Sequence, residues 1–230
     1  MKNIFLTLDT ETADLTGAVY DVGYVIADKK GEIIAERTFL VEEIFTDAAR
    51  MMGAFYAGKL FTHYAYMLER GEIALTPWAT IVETLRADIV AHGVTVICAY
   101  NAAFDFRVMA STHKMLGYAG SVLEGNLQTL DLWRFACETK LSQATYHKVA
   151  ASQNWQSTAG NLKTGAEYAY RYCSGDWGFI EDHTALSDAR IETAILAACM
   201  ATKKRIPYGQ IGGSPWRIAQ PHLPKCLQNS

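Results

Sequence analysis

The chain contains 230 residues, of which 50% are hydrophobic and 20% are charged, and its formal net charge is −3. Such values are typical of a globular protein with one large core. The slightly acidic balance argues against a basic nucleic-acid-binding protein. A protein that holds phosphates through divalent cations is an exception, because it needs acidic residues at its site.

The sequence shows no pattern typical of a targeting signal or of paired cysteines. The apolar run before Asp9 is about five residues, too short for a secretory signal, and no uncharged apolar stretch reaches the roughly 18 residues of a membrane span. The five cysteines are scattered without a C-x-x-C pair, which indicates neither a disulfide framework nor a zinc knuckle. We therefore expect a cytoplasmic protein with reduced thiols and no membrane contact.

The N-terminal region is predicted to form three antiparallel strands. IFLTL (4–8), YDVGYVIAD (20–28) and EIIAERTFLV (32–41) are rich in β-branched and aromatic residues, and the last two are joined by a turn at 29–31. Together they indicate an antiparallel meander at the start of the fold.

Residues 46–70 carry apolar and aromatic side chains at helical spacing, and Gly71 follows as a stop. A packed core helix is the favoured interpretation. A base-stacking surface and a dimer face remain alternatives. The side chains concerned are Met51, Met52, Phe55, Tyr56, Phe61, Tyr64, Tyr66, Met67 and Leu68.

The remaining chain alternates strands and helices. VTVICAY (94–100) is a continuous apolar run, which predicts a central strand covered on both faces. Thr76 is the predicted N-cap of a helix with proline at its first position. The predicted elements are helix 77–92, strand 94–100, helix 106–116, strand 127–132, and helices 133–139, 159–172 and 183–204. Residues 205–230, rich in proline and glycine, are expected to form an extended or partly disordered arm, which leaves 1–204 as the domain.

Asp9 and Glu11 form an unusual carboxylate pair at the end of the first strand. Alternate residues of a strand point to the same face, so the two carboxylates are expected side by side. Like charges at this distance are unfavourable unless a proton or a cation lies between them. Oxygen ligands of this kind suit Mg²⁺ or Mn²⁺ rather than zinc.

Two other aspartates lie at the end of a predicted strand or in the first turns of a predicted helix, although each has a simpler explanation. Asp105 follows the 94–100 strand, where a carboxylate also stabilises a helix N-terminus. Asp188 lies in the last helix, where an aspartate is usually solvated, and His183 alone is more often a packed histidine than a catalyst.

The segments LDTET, YNAAFD and HTALSDA, in this order, resemble the three motifs of the DEDDh (DnaQ-like) 3′-to-5′ exonucleases. The resemblance covers roughly residues 4–200. D-x-E alone is weak, but the three motifs in their expected contexts are a strong signal. The resemblance implies an α/β domain of the ribonuclease H-like kind, with a mixed sheet of three antiparallel strands and then parallel strands, flanked by helices.

The resemblance also implies a role for each motif residue. Asp9, Glu11 and Asp188 would bind the first of two Mg²⁺ or Mn²⁺ ions, with Asp9 shared, and Asp105 would hold the second. His183 would be the general base that deprotonates the attacking water. The sister subclass has tyrosine where this chain has Ala185, so the histidine subclass is indicated.

Four further residues are implied as substrate contacts. Asn101 and Phe104 match the second motif, in which the asparagine orients the loop and the phenylalanine packs near the terminal nucleotide. Thr10 and Thr12 lie beside the metal ligands and are expected to reach the 3′-terminal sugar. The alternative for Phe104 is core packing. Tyr100 stands where several relatives have histidine, so any contact of that histidine cannot be transferred.

The implied activity is hydrolysis of the 3′-terminal phosphodiester of single-stranded DNA or RNA, with release of nucleoside 5′-monophosphates. An oligoribonuclease-like enzyme for short RNA and a non-catalytic 3′-end-binding or interaction subunit are the alternatives. The partners expected are nucleic-acid 3′ ends, and a second copy of the chain, a polymerase or another protein are further candidates. The sequence does not distinguish DNA from RNA, because no motif that reads the 2′-hydroxyl is recognisable.

Overall fold

The computed structural model describes residues 3–14, 17–202 and 204–221. Its strands are β1 (Ile4–Thr12), β2 (Val19–Asp28), β3 (Ile33–Val41), β4 (Leu75–Thr76), β5 (Val96–Ala99) and β6 (Gln128–Asp131). They form one six-stranded sheet in the order β4-β3-β2-β1-β5-β6. β1, β2 and β3 are antiparallel, whereas β5 is parallel to β1 and β6 is parallel to β5. The predicted mixed sheet is confirmed, and the short β4, parallel to β3, is an addition that the sequence pattern does not indicate.

The sheet carries two hydrophobic layers because its side chains alternate between faces. Leu6 and Leu8 of β1 belong to one layer, whereas Phe5 belongs to the other. The helices are α1 (Glu42–Phe45), α2 (Ala48–Met52), α3 (Ala65–Glu69), α4 (Trp78–Ala91), α5 (Ala102–Met115), α6 (Leu132–Ala136), α7 (Ala144–Ser152), α8 (Ala166–Ser174), α9 (Ala185–Met200) and α10 (Trp216–Ala219). α4 and α5 contribute to the first layer and α6 and α9 to the second, so both faces are covered. None of the helices within the described ranges is long and apolar enough to cross a membrane.

The single helix predicted over 46–70 is wrong. This stretch contains α2, a turn that includes Gly53 and Gly58, a π-helical turn at Leu60–Tyr64, and α3. Glycine favours turns over helix interiors, which accounts for the interruption. Met51 and Tyr64 are buried, whereas Phe55 is 88% exposed and Phe61 is 75% exposed. The apolar pattern therefore combines core residues with a surface.

Several predicted boundaries also shift. α5 begins at Ala102 rather than 106, and α9 begins at Ala185, which leaves His183 outside the helix. The helix predicted from 159 begins at Ala166, because the preceding residues form a turn closed by a bridge between Gln156 and Leu162. α7 is not predicted by the sequence pattern.

The described part of the predicted arm is packed rather than extended. The Gly209 amide donates to the Thr129 carbonyl at 2.8 Å, next to the sheet edge. Gln220 accepts the Leu162 amide at 2.8 Å, and Ala219 of α10 is fully buried. Residues 222–230 lie outside the described residues, and the division between a domain and a tail at 204 stays a prediction.

Gly23 of β2 determines how closely α9 approaches the sheet. It pairs with Asp9 of β1. A Cβ at this position would overlap the backbone of Ala185 and Leu186, with the Leu186 Cα at only 2.5 Å. Since backbone cannot give way as a flexible side chain does, only glycine lets the start of α9 lie directly over the strand that borders Asp9.

We expect Gly23→Ala to lower the free energy of unfolding by at least about 2 kcal/mol, because the added methyl group overpacks a backbone contact. Urea denaturation measures this change. Gly58→Ala is the matched control, since no atom of the described residues would lie within 4 Å of a Cβ at this position. Equal effects of the two substitutions would contradict the close-approach explanation.

Candidate active site

The fold collects the predicted motif residues at one edge of the sheet. β1 and β5 run parallel, with Leu6 paired to Ile97, so their carboxyl ends emerge at the same edge. Asp9 and Glu11 lie at that end of β1, and Asp105 lies in the first turn of α5, just beyond β5. Asp188 lies in the first turn of α9, which packs on β1 and β2. The three sequence segments therefore reach one region.

Glu11, His183 and Asp188 form the tightest group of ligand atoms. One candidate ligand atom from each lies within 4.8 Å of the other two. His183 Nδ1 is 4.0 Å from Asp188 Oδ2 and 3.7 Å from Glu181 Oε2. This grouping contains His183 and not Asp9, so it differs from the implied first-ion set of Asp9, Glu11 and Asp188. Asp9 is nevertheless close enough for Asp105, Asp188 and Glu11 all to raise its pKa.

Burial raises the pKa of each carboxyl in this group, because the charged form loses hydration. The pKa of Asp188 rises to about 9, and Glu181 and Glu11 add to the effect of burial. The pKa of Glu11 rises to about 8 through burial, although the Lys59 ammonium opposes the shift. Burial likewise raises the pKa of Asp105 to about 7. Without a metal ion, the surroundings of Glu11 and Asp188 therefore favour the protonated carboxyl over the charged carboxylate near neutral pH.

A divalent cation fits this donor set. Asp188 Oδ1 is buried and has no hydrogen-bond partner within the described part of the chain. Buried carboxylate oxygens normally have partners, so an oxygen without one indicates a missing cation or donor. Glu11 and Asp188 supply oxygen ligands of the type that Mg²⁺ and Mn²⁺ prefer. The number of ions stays a prediction.

The four residues implied as substrate contacts occupy different settings. The Thr10 hydroxyl is buried and donates to Asp105 Oδ1 at 2.8 Å, so this hydroxyl anchors a site carboxylate. Asn101 has a left-handed backbone (φ +69°) at the start of α5, which asparagine tolerates better than most residues. Phe104 packs partly against the core, and Thr12 is half-buried. The contacts of these four with substrate stay predictions.

Glu192 is a site residue that the sequence analysis misses. It lies one helical turn beyond Asp188 on α9, is buried, and accepts the Tyr100 amide at 3.1 Å through Oε2. Glu192 is also the largest charge effect on the pKa of Asp9. The i, i+4 spacing from Asp188 is the signal that would have identified it, since such residues share a helix face.

Asp21 is a second missed residue and lies opposite Glu11 in the β1–β2 register. Its Oδ2 accepts the Tyr64 hydroxyl at 2.8 Å and the Ala185 amide at 3.1 Å. Burial raises its pKa to about 6. Asp21 therefore ties the first residue of α9 to the sheet, two residues after His183.

Comparisons based on sequence give no match, either with models of known protein families or with curated protein sequences. Solved structures do match. Exonuclease I with SSB and the inhibitor CFAM has a TM-score of 0.59 at 13% identity, over 88% of this chain and 42% of that chain. The zinc-bound complex of E. coli exonuclease I with single-stranded DNA has a TM-score of 0.56 at 12% identity, over 88% and 41%. Exonuclease X with 5′-overhanging duplex DNA has a TM-score of 0.49 at 17% identity, over 86% and 92%.

At these identities the likeness to exonuclease I establishes the fold. The expected α/β fold, a mixed sheet of antiparallel and then parallel strands flanked by helices, is therefore confirmed. The chain spans about two fifths of the length of the exonuclease I chains that it matches.

The metal-free protein is expected to lose stability as pH rises. The folded-state pKa values of Glu11 (about 8) and Asp188 (about 9) exceed their ordinary values of 4.5 and 3.8. Between these limits the native state binds more protons than the unfolded state, so the free energy of unfolding falls as pH rises from 4 towards 9. Urea denaturation in EDTA at several pH values measures this slope.

Asp188→Asn removes a carboxyl that must take up a proton, or carry an unfavourable charge, when the metal-free protein folds at pH 8, and it is expected to raise the free energy of unfolding there by at least about 1 kcal/mol. The same variant should lose most of the increase in melting temperature that Mn²⁺ gives the wild type, because it lacks a ligand. Glu83→Gln, on the exposed face of α4, is the control and should change neither quantity. An equal Mn²⁺ response in Asp188→Asn would argue against the cation site.

Proposed function

We propose that this protein is a divalent-metal-dependent 3′-to-5′ exonuclease. It hydrolyses the 3′-terminal phosphodiester of single-stranded DNA or RNA and releases nucleoside 5′-monophosphates. The observation that carries the proposal is the convergence of Glu11, His183 and Asp188, from motifs distant in the chain, within 4.8 Å of one another. Because one fold supports many activities, the fold supports this proposal less than the residues do.

Charge explains why this activity needs a cation. The phosphodiester is an anion, and the carboxylates of the site would repel it in a poorly hydrated environment. A divalent cation, when bound, supplies the positive charge that accepts the phosphate and lowers the pKa of water. Glu11 and Asp188 would hold it, with Asp9 and Asp105 beside them. Two ions are part of the proposal and follow from the motif resemblance.

His183 suits the role of general base. Burial, and next the Lys59 ammonium, lower the pKa of its imidazole from 6.5, so the ring is neutral above pH 7 and can accept a proton. The side chain is 35% exposed, which lets water reach it. The carboxylates of Glu181 and Asp188 lie 3.7 and 4.0 Å from Nδ1 and would stabilise the imidazolium after proton transfer.

Single-stranded nucleic acid is the proposed substrate, because a 3′ end must be unpaired to enter a recessed site at a sheet edge. The structural similarity to exonuclease I in its complex with single-stranded DNA agrees with this choice. A non-catalytic 3′-end binder is less well supported, because binding alone does not need a base beside the acidic ligands.

The test uses 5′-labelled single-stranded and duplex oligonucleotides of both sugars with Mg²⁺. We expect a ladder of products that shortens from the 3′ end, faster on single strands, and no reaction in EDTA. Comparison of the DNA, RNA and very short RNA arms then identifies the sugar and length preference, including an oligoribonuclease-like one. Products that do not shorten from the 3′ end would refute the proposed reaction.

Asp9→Ala and His183→Ala should each reduce the rate by at least about 100-fold, the first by loss of cation binding and the second by loss of the base. Glu83→Gln and His92→Ala are the controls, because both residues lie on or next to α4, away from the motif residues. Full activity of either site variant would exclude the proposed mechanism.

A further inference from the structure

His183 has a backbone conformation that needs external support. Its φ is +57°, in the left-handed region that non-glycine residues rarely adopt. The residue precedes α9, so the backbone hydrogen bonds of the helix do not fix its backbone conformation. The proposed general base therefore depends on contacts from elsewhere in the chain for its orientation.

Two residues of the turn between α2 and the π-helical turn supply such contacts. The ring of Tyr56 stacks on the His183 imidazole, with centroids 4.7 Å apart and planes inclined by 21°. Lys59 Nζ donates to the carbonyl oxygen of His183 at 2.5 Å. The same ammonium lies 4.3 Å from the centroid of the Tyr56 ring. One contact fixes the ring and the other fixes the peptide.

We propose that Tyr56 and Lys59 are positioning residues that hold the His183 imidazole towards Asp188, an inference that rests on the proposed function of His183. Neither residue belongs to the three motifs, and both lie more than 120 positions from His183 in sequence. A stacked ring limits rotation of the imidazole, and a charge-assisted hydrogen bond to the peptide opposes relaxation of the strained backbone.

The segment that carries Tyr56 and Lys59 is anchored in the hydrophobic core. Met51 and Ala54 before the pair are buried, and Tyr64 after it is fully buried. The Tyr64 hydroxyl donates to Asp21 Oδ2, the atom that also accepts the Ala185 amide. A single buried carboxylate thus connects the segment that carries Lys59 to the residue two positions after His183.

The first experiment compares kcat and KM of four variants on a single-stranded oligonucleotide. Lys59→Met and Tyr56→Leu should each lower kcat by at least about tenfold and change KM by less than about threefold, because a misoriented base affects the chemical step. Tyr56→Phe keeps the stacked ring and should stay within about twofold of the wild type. Lys204→Met is the matched control, since Lys204 Nζ donates to the Glu138 carbonyl at 3.0 Å, away from the site.

A double-mutant cycle separates positioning of His183 from a general structural effect. In the His183→Ala background, Tyr56→Leu should cause no further loss of kcat, because the ring that Tyr56 orients is gone. An additive loss, an effect mainly on KM, or an unchanged kcat in both Lys59→Met and Tyr56→Leu would overturn the inference. Tyr56→Leu and Tyr56→Phe keep the test decisive if Lys59→Met fails to fold.

The NMR signal of the His183 Cε1–H, measured on metal-free protein and identified by its loss in His183→Ala, gives a readout independent of activity. We expect it to move in Tyr56→Leu and Lys59→Met and to stay unchanged in Lys204→Met. A signal that is unchanged in all three variants would overturn the inference. Wild-type protein without nuclease activity but with these shifts would count against the proposed function and leave the positioning contacts supported.

Discussion

Mutual repulsion of buried carboxylates is the constraint on which the rest of this structure depends. Glu11, Asp105, Asp188 and Glu192 are all buried near one another, with Asp9 among them. Burial of like charges is unfavourable unless protons or cations compensate. A fold can keep such a cluster only if the surrounding core supplies the stability that the site removes. The two well-packed layers on either side of the sheet are consistent with that requirement.

Two residues of β2 fix the position of α9 relative to the acidic cluster. Gly23 allows the backbone of α9 to lie on β2 beside Asp9, and Asp21 accepts the first amide of that helix. A helix N-terminus favours negative charge, so the helix end that Asp21 holds offsets part of the cost of a charged Asp188. Both anchors are in β2, a strand that contributes no motif residue. The position of the candidate active site therefore depends on Gly23 and Asp21, which have no role in the proposed reaction.

Local patterns predicted much of this arrangement. The β-branched and aromatic residues of 4–8 and the apolar run in 94–100 predicted the central strands, and the carboxylate pair in LDTET indicated a cation site at the end of the first strand, because these signals depend on neighbours in sequence. Contacts between distant segments were beyond such signals. The stacking of Tyr56 on His183 and the pairing of Asp21 with Ala185 exist only once the chain is folded. The 46–70 pattern misled because core and exposed aromatic residues share its spacing.

The ammonium of Lys59 shifts the protonation of both the carboxyls and the histidine of the site towards the forms that the proposed reaction needs. It opposes the rise that burial causes in the pKa of Glu11 and of Asp188, which favours the charged carboxylates that a divalent cation requires. It also lowers the pKa of His183, which favours the neutral imidazole that a general base requires. A cation placed between an acid cluster and a base thus favours the reactive protonation state of both. The same ammonium donates to the His183 carbonyl oxygen. A single position of the Lys59 side chain therefore produces both the electrostatic effect and the positioning contact.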